Sequence, residues 1–306
     1  MSAGKVRVET GGALVERLLA AQFPRWADLR VEPVASAGTD NAVYRLGEDM
    51  AVRLPRIPGA AHDVDNEQRW LPRLAARLPL AIPVPLGRGA PGEGYPYPWS
   101  VYRWLDGETV VEGAGVDLRD AAVQLGRFVA ALRRFDGTGG PASFRGGRLS
   151  THDEGVRAAI RDLGADGTIA ADLATRAWES ALRLPAWQGA PVWVHADLHP
   201  GNLLARANRV SAVIDFGGLG VGDPACDMLI AWTLLSEQTR ELFREQAEVD
   251  DATWARGRGW GLYFGLGAEH YYRLSNPVLA AVGRHAMTEA LADYRRTTTV
   301  RIGPIL

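Results

Sequence analysis

Between Trp193 and Phe216 the chain reads WVHADLHPGNLLARANRVSAVIDF, and this stretch limits the possible folds more than any other. An apolar, β-branched run from Val192 to Val194 breaks at His195, Asp197, Pro200 and Gly201. Apolar sequence resumes at Leu203-Leu204-Ala205 and again from Val210 to Ile214, ending at Asp215. That order predicts a strand, a tight polar loop and a hairpin, with Asp197, Asn202 and Asp215 together at the mouth.

Three readings of the loop compete. It is a capped turn and nothing more, or a metal cluster, or a site for phosphoryl transfer. In the second, His195, Asp197 and His199 (H-x-D-x-H) alternate along an extended chain and point the same way, as converging ligands would. Both of the first two leave Asn202 and the Asp-Phe-Gly triplet unexplained, and no H-E-x-x-H or cysteine cluster completes a metal site. The spacing H-x-D-x-x-x-x-N followed by D-F-G is that of a kinase-type phosphoryl-transfer site. A hydroxyl nucleophile has to be aligned and relieved of its proton, which suits a carboxylate on a rigid loop, here Asp197. Magnesium bridging nucleotide phosphates needs hard oxygen ligands, which Asn202 and Asp215 supply.

HADLHPGN followed by IDFGGLGVGDPACD resembles the aminoglycoside phosphotransferase family, antibiotic-kinase relatives of the protein kinases. That family also includes kinases of macrolides, choline, homoserine and other small hydroxyl compounds. The similarity runs from about Val31 to about Leu235. It implies an α+β, two-lobed protein-kinase-like fold: a small β-rich nucleotide-binding lobe over residues 1–104, and a larger, mainly helical catalytic and substrate-binding lobe over 105–306. It implies transfer of a phosphoryl group from ATP or GTP, with Mg2+, to a hydroxyl of a small molecule such as an aminoglycoside or macrolide antibiotic. Asp197 is then the base, His199 a donor to the transferring group, and Asn202 and Asp215 the metal ligands. His195 orients the loop through a backbone hydrogen bond, and Asp227 helps to hold it. The alternatives are a catalytically silent nucleotide-binding or sensing domain, and a kinase of an ordinary metabolite.

The same resemblance assigns the nucleotide side. The small, polar loop Ser36 to Asn41, with Thr39, Asp40 and Asn41 at its end, covers the phosphates, although a hairpin turn uses the same residues. Arg53, in the strand pattern A-V-R-L, stands where a kinase places the lysine that holds the α- and β-phosphates. Lys5, the only lysine, is far outside that region. Arginine keeps the charge and brings a planar fork of five donors; the plain alternative is a solvated strand arginine like Arg45 or Arg56. Glu67 is the candidate partner of Arg53, with Asp63 one helical turn earlier as its rival and Asp65 facing elsewhere. Trp99 to Leu105 reads as a strand and hinge, with the Arg103 carbonyl and the Leu105 amide pairing the base.

Periodicity predicts helices over about 12–22, 60–78, 118–135 with Asp117 as N-cap, 153–163 and 169–184, and strands over 29–35, 42–46 and 50–54. The glycine-rich segment 136–147 reads as a mobile surface loop. A helix is expected from Gly222 to about Ser236. From Asp223 to Asp251 eight acids stand against Arg240 and Arg244, which suits either a cationic substrate or a solvated helix face. Trp254, Trp260, Tyr263, Phe264, Tyr271 and Tyr272 fall at helical spacing, as core residues do. A net charge of −2 gives no footprint for nucleic acid or a membrane surface. No apolar leader or long uncharged span is present, and the single cysteine, Cys226, fits a reducing cytoplasm. Oligomeric state is left open.

Overall fold

The computed structural model describes residues 7–34, 40–111 and 115–300. Five strands, β1 (Val31–Pro33), β2 (Asn41–Leu46), β3 (Met50–Pro55), β4 (Pro85–Gly89) and β5 (Trp99–Arg103), form one antiparallel sheet in the order β1-β2-β3-β5-β4. Alternation along the strands turns Tyr44, Leu46, Val52, Leu54, Trp99 and Val101 inward, against Val15, Leu18 and Leu19 of α1 (Gly12–Gln22). Helix α2 (Pro58–Ala75) starts with Pro at its first position, where no amide is missed, and runs through Pro72. Gln68 ties α2 to the sheet by donating to Gly87 O (3.0 Å) and Ser100 Oγ (2.9 Å). The next turns of the helix, with Trp70, Leu71 and Leu74, bury themselves in the larger core that follows. One helix thus touches both parts of the protein.

Beyond the hinge the chain is mainly helical. α3 (Leu118–Arg133) begins where the Asp117 side chain accepts from the amides of Arg119 and Asp120, as expected of an N-cap. α4 (Asp153–Ala165) and α5 (Ala171–Leu182) pack beside α8 (Asp251–Tyr272), the long helix that pairs with α9 (Pro277–Val300). Two small sheets carry the polar loops. β6 (Glu108–Thr109), β8 (Leu203–Arg206) and β9 (Arg209–Val213) form one, and β7 (Val192–Val194) pairs with β10 (Gly220–Gly222) in the other.

One expectation needs correction and another needs refinement. The segment from Gly222 to Ser236 is not one helix: a 3-10 turn over Pro224–Leu229 leads into a single α-turn, α6 (Ile230–Thr233), before α7 (Glu237–Ala247). Every residue of the 3-10 turn is buried, and Asp223 and Asp227 are bonded inward, so packing overrides the helical preference of the sequence. Segment 136–147 does lie at the surface, but it is bonded to the body of the protein. Ser143 N donates to Val221 O (3.1 Å), Val221 N to Pro141 O (2.7 Å) and Asp223 N to Gly146 O (2.9 Å), so the loop is laced to β10. Gly220 and Gly222 permit this approach, because a Cβ at Gly222 would stand 2.5 Å from the Gly146 backbone.

Candidate active site

The polar loop between β7 and β8 is held from beneath by Asp227. Its carboxylate accepts from His195 N (2.9 Å) and Ala196 N (2.7 Å). Burial pushes the Asp227 pKa up, against the opposing pull of His195 and of these two amides. Ala196 takes a left-handed conformation (φ 68°) and so does Asp215 (φ 60°), two strained residues within one site. The His195 ring joins their loops. Asp197 N donates to its Nδ1 (3.2 Å), which leaves the proton on Nε2, and that donates to Ile214 O (3.0 Å).

Asp197 therefore emerges from a braced backbone. Its Oδ2 accepts from Asn202 Nδ2 at 3.1 Å, and the same amide nitrogen reaches Asp197 O at 2.8 Å. The carbonyl end of Asn202 is thereby the one left for another partner. His199 Nε2 lies 3.6 Å from Asp197 Oδ2, its Nδ1 accepts from Gly201 N (3.1 Å), and its ring stacks on Phe264 of α8. Asp197 Oδ1 is met by Arg145 Nη1, which also donates to Ala196 O at 3.0 Å. Burial by itself would raise the Asp197 pKa, but the Arg145 guanidinium and His199 outweigh it and hold the carboxyl well below the usual range.

Across the cleft, Arg53 on β3 gathers several of the residues that the sequence assigns to the nucleotide side. Its Nη1 donates to Glu67 Oε1 (2.6 Å) and its Nη2 to Asp215 Oδ1 (2.6 Å). With the Asn41 amide oriented to satisfy both groups, its oxygen accepts from Arg53 Nε at 3.2 Å and Nη2 at 2.7 Å. Glu67 is 2% exposed and is also bonded by the Tyr102 hydroxyl; Asp215 is 42% exposed and faces the cleft. Burial opposes the Arg53 charge, yet Glu67 and Asp215 raise its pKa further. Glu67, and not Asp63, meets Arg53. Asp63 sits against Gly217 with its pKa raised to about 7 by burial and by the negative charge of Glu67, against the pull of Arg53.

Of the remaining candidates, Thr39 lies outside the described residues. Asp40 gives its carbonyl to Arg56 N (2.8 Å) at the start of β2. At the hinge, Arg103 N donates to Val84 O and Trp104 N to Asp49 O, and the chain leaves the sheet before Leu105. The H-x-D-x-H metal reading fails on geometry, since both histidine Nδ1 atoms are occupied by amides. Among the described residues no group of three or more His, Cys, Asp or Glu is arranged to hold a metal.

Much of the acidic excess after Asp223 is neutralised by partners distant in sequence. Arg256 grips Asp223 through two nitrogens (2.8 and 3.1 Å), Arg296 meets Glu237, and Arg134 meets Glu248. Arg244 adds Asp251, and Asp250 caps α8. Of the aromatic residues, Trp260 and Phe264 are buried, whereas Tyr271 is 70% exposed. Of three further site neighbours, Arg145 carried no sequence signal, and Tyr263 and Phe264 of α8 were legible only as core residues. Beside Pro200 lies a depression of about 590 Å³ lined largely by apolar residues, among them Val110, Val111, Leu234 and Val282, with His285 the one ionisable lining residue among those described.

The profile of the phosphotransferase enzyme family matches residues 31–260, three quarters of the chain. The chain belongs to this family. It is a phosphotransferase with an alcohol group as acceptor. No curated protein matches the sequence. Solved structures share the fold. The GDP and kanamycin complex of APH(2")-IIia is 21% identical with a TM-score of 0.70, over 91% of this chain and 98% of that one. The GDP complex of wild-type aminoglycoside 2'-phosphotransferase-IIIa is 20% identical with a TM-score of 0.72, over 93% and 100%. The apoenzyme of macrolide 2'-phosphotransferase MphH from Brachybacterium faecium is 25% identical with a TM-score of 0.60, over 92% and 98%. Among the described residues no helix is long and apolar enough to cross a membrane.

Proposed function

We propose that the protein transfers the γ-phosphoryl group of ATP or GTP to a hydroxyl of a small molecule, and that the acceptor is an antibiotic of the aminoglycoside or macrolide kind. The observation that carries this reading is one cleft bearing Asp197 and Asn202 on one loop, Asp215 on the next, and Arg53 opposite. The nucleotide lies between the sheet part (residues 1–104) and the helical part (105–306). Its base pairs with the Arg103 carbonyl and the Leu105 amide. Arg53, ordered by Glu67 and Asn41, donates to phosphate oxygens. Similar structures carry GDP, and another carries ADP, which supports a purine nucleotide without choosing between the two.

The donor set fits magnesium, because the Asn202 carbonyl and the Asp215 carboxylate are both hard oxygens. Bound with the nucleotide, the ion would neutralise charge on the β- and γ-phosphates. The chain's own residues do the rest. Asp197, ionised at neutral pH, accepts a hydrogen bond from the acceptor hydroxyl, aims its oxygen at phosphorus, and takes the proton late, as a loose transition state requires. His199 Nε2–H stands beside Asp197 and donates to the transferring oxygens.

The depression beside Pro200 adjoins this loop, and its mainly apolar lining supports an acceptor with a large apolar surface. That favours the macrolide kind over a polycationic aminoglycoside. The rival, a silent nucleotide sensor, has against it the complete Asp197, Asn202 and Asp215 set. Labelled γ-phosphate from magnesium-ATP and magnesium-GTP, offered to panels of macrolides, aminoglycosides and hydroxylated metabolites, tests the reading. Labelled product from a macrolide is the expected result. Tight nucleotide binding with no transfer to any acceptor or to water would favour the sensor.

A further inference from the structure

Among the described residues, Arg145 is the one side chain outside the two catalytic loops that bonds to Asp197. It comes from the segment 136–147, some fifty residues upstream, and stands on the Asp197 oxygen that Asn202 does not use. The contact is built from several directions. The loop behind it is tied to β10 through Ser143, Pro141 and Gly146, and Ser143 Oγ donates to Gly218 O beside the Asp-Phe-Gly triplet. The guanidinium carbon lies 4.6 Å from the centre of the Phe144 ring and 5.9 Å from that of Tyr263 on α8. These aromatic faces favour the cation and restrict its movement.

The geometry differs from that of a structural ion pair in the same protein. Arg256 holds Asp223 through two nitrogens and both carboxylate oxygens, fork to fork. Arg145 engages Asp197 and Ala196 O through Nη1 alone, and its buried Nε has no hydrogen-bond partner. An arginine placed only for stability would use its fork, because an orphaned buried donor costs about 1–3 kcal/mol. The contact with Ala196 O also fixes the strained residue immediately before the base.

We propose that Arg145 is a positioning residue for phosphoryl transfer: it fixes the rotamer of Asp197, and the backbone immediately before it, while the acceptor hydroxyl is aligned. This rests on the assignment of Asp197 above. The groups facing the carboxylate are Arg145 from the loop, with His199 and Asn202 from the catalytic turn; His152 and Tyr263 stand behind Arg145.

The test is a comparison of the full chain with its Arg145→Met, Arg145→Lys and Asp197→Asn variants. Phosphate release from magnesium-ATP, with water as acceptor, gives kcat and the nucleotide KM of each. For Arg145→Met we expect kcat to fall about 10²-fold with nucleotide KM within about twofold, and Arg145→Lys to recover part of the rate. If Arg145→Met does not fold, Arg145→Gln is read in its place. An unchanged kcat in Arg145→Met while Asp197→Asn abolishes turnover, or no recovery in Arg145→Lys, overturns the proposal and leaves Asp197 as the base. Turnover unchanged in Asp197→Asn refutes the assignment of Asp197 itself.

Discussion

Replacing Asp227 by alanine should release the catalytic loop, and the structure gives the size of the effect. The carboxylate is 2% exposed and accepts from two amides, His195 N and Ala196 N, in fully buried residues. A hydrogen bond to a charged group is worth about 1.5–3 kcal/mol, and each amide left without a partner adds its desolvation penalty. Removing a buried carboxylate also relieves its own desolvation, which offsets part of the loss, so a net cost of about 3–5 kcal/mol is expected. At about 2–4 °C per kcal/mol for a unit of some 200 residues, the helical part should melt roughly 10 °C lower. Asp227→Asn keeps the shape and one acceptor oxygen and should lose about half as much. The same change frees the left-handed Ala196, whose strain is of order 1–3 kcal/mol, to relax. Since Ala196 precedes Asp197, turnover should fall even at temperatures where the variant is folded. Calorimetry and circular dichroism melting give the stability, and turnover at low temperature gives the function. A melting point lowered by less than about 3 °C, with activity retained, would show that these amides have another partner and that Asp227 is not the brace.

Other consequences follow from the same contacts. Gly222→Ala places a Cβ 2.5 Å from the Gly146 backbone and should cost about 1–3 kcal/mol while displacing the loop that carries Arg145; a variant with wild-type melting point and turnover would contradict that packing. Asp63, raised to about 7 by burial and by neighbouring acids, is protonated more readily in the folded chain than in the unfolded one. Its contribution is therefore present below the unfolded carboxylate pKa near 4 and is lost as pH rises to about 7. In metal-free, nucleotide-free protein, Asp63→Asn should flatten the fall in melting temperature over that window; an identical pH dependence in both proteins would contradict it. Arg53→Ala should raise the nucleotide KM and lower kcat, with Arg53→Lys keeping part of the activity; unchanged steady-state kinetics would mean the guanidinium does not reach the phosphates.

What the sequence discloses about the site depends on how far apart the partners lie. Asp197, Asn202 and Asp215 fall within one strand-loop-hairpin, so spacing and residue type alone bring them together. Arg53 and Glu67 sit on adjacent elements, and the order strand, then helix, places them. The helices with clear 3.6-residue periodicity, such as α3 with its Asp117 cap, were legible for the same local reason. Arg145 was not, because a glycine-rich segment has no periodicity and nothing local says that Ser143 and Gly146 are laced to β10. The acids after Asp223 invited two readings for a related reason. Arg256, Arg296 and Arg134, which neutralise several of them, lie dozens of residues away, and charge counts along the chain are blind to such partners. The 3-10 turn over Pro224–Leu229 was hidden because Asp223 and Asp227 are bonded by Arg256, His195 and Ala196, partners some thirty residues away along the chain.

The central claim is that Asp197 aligns and deprotonates the acceptor, and one paired measurement on Asp197→Asn tests it. The substitution keeps the shape and one acceptor oxygen while removing charge and basicity. General-base and positioning contributions of this kind are typically about 10²–10⁴-fold in rate, so turnover should fall by that order. Nucleotide affinity should hardly change, because Arg53, Asn202 and Asp215 remain. Retained binding with lost turnover is the predicted result; a variant that still turns over at the wild-type rate would contradict the account.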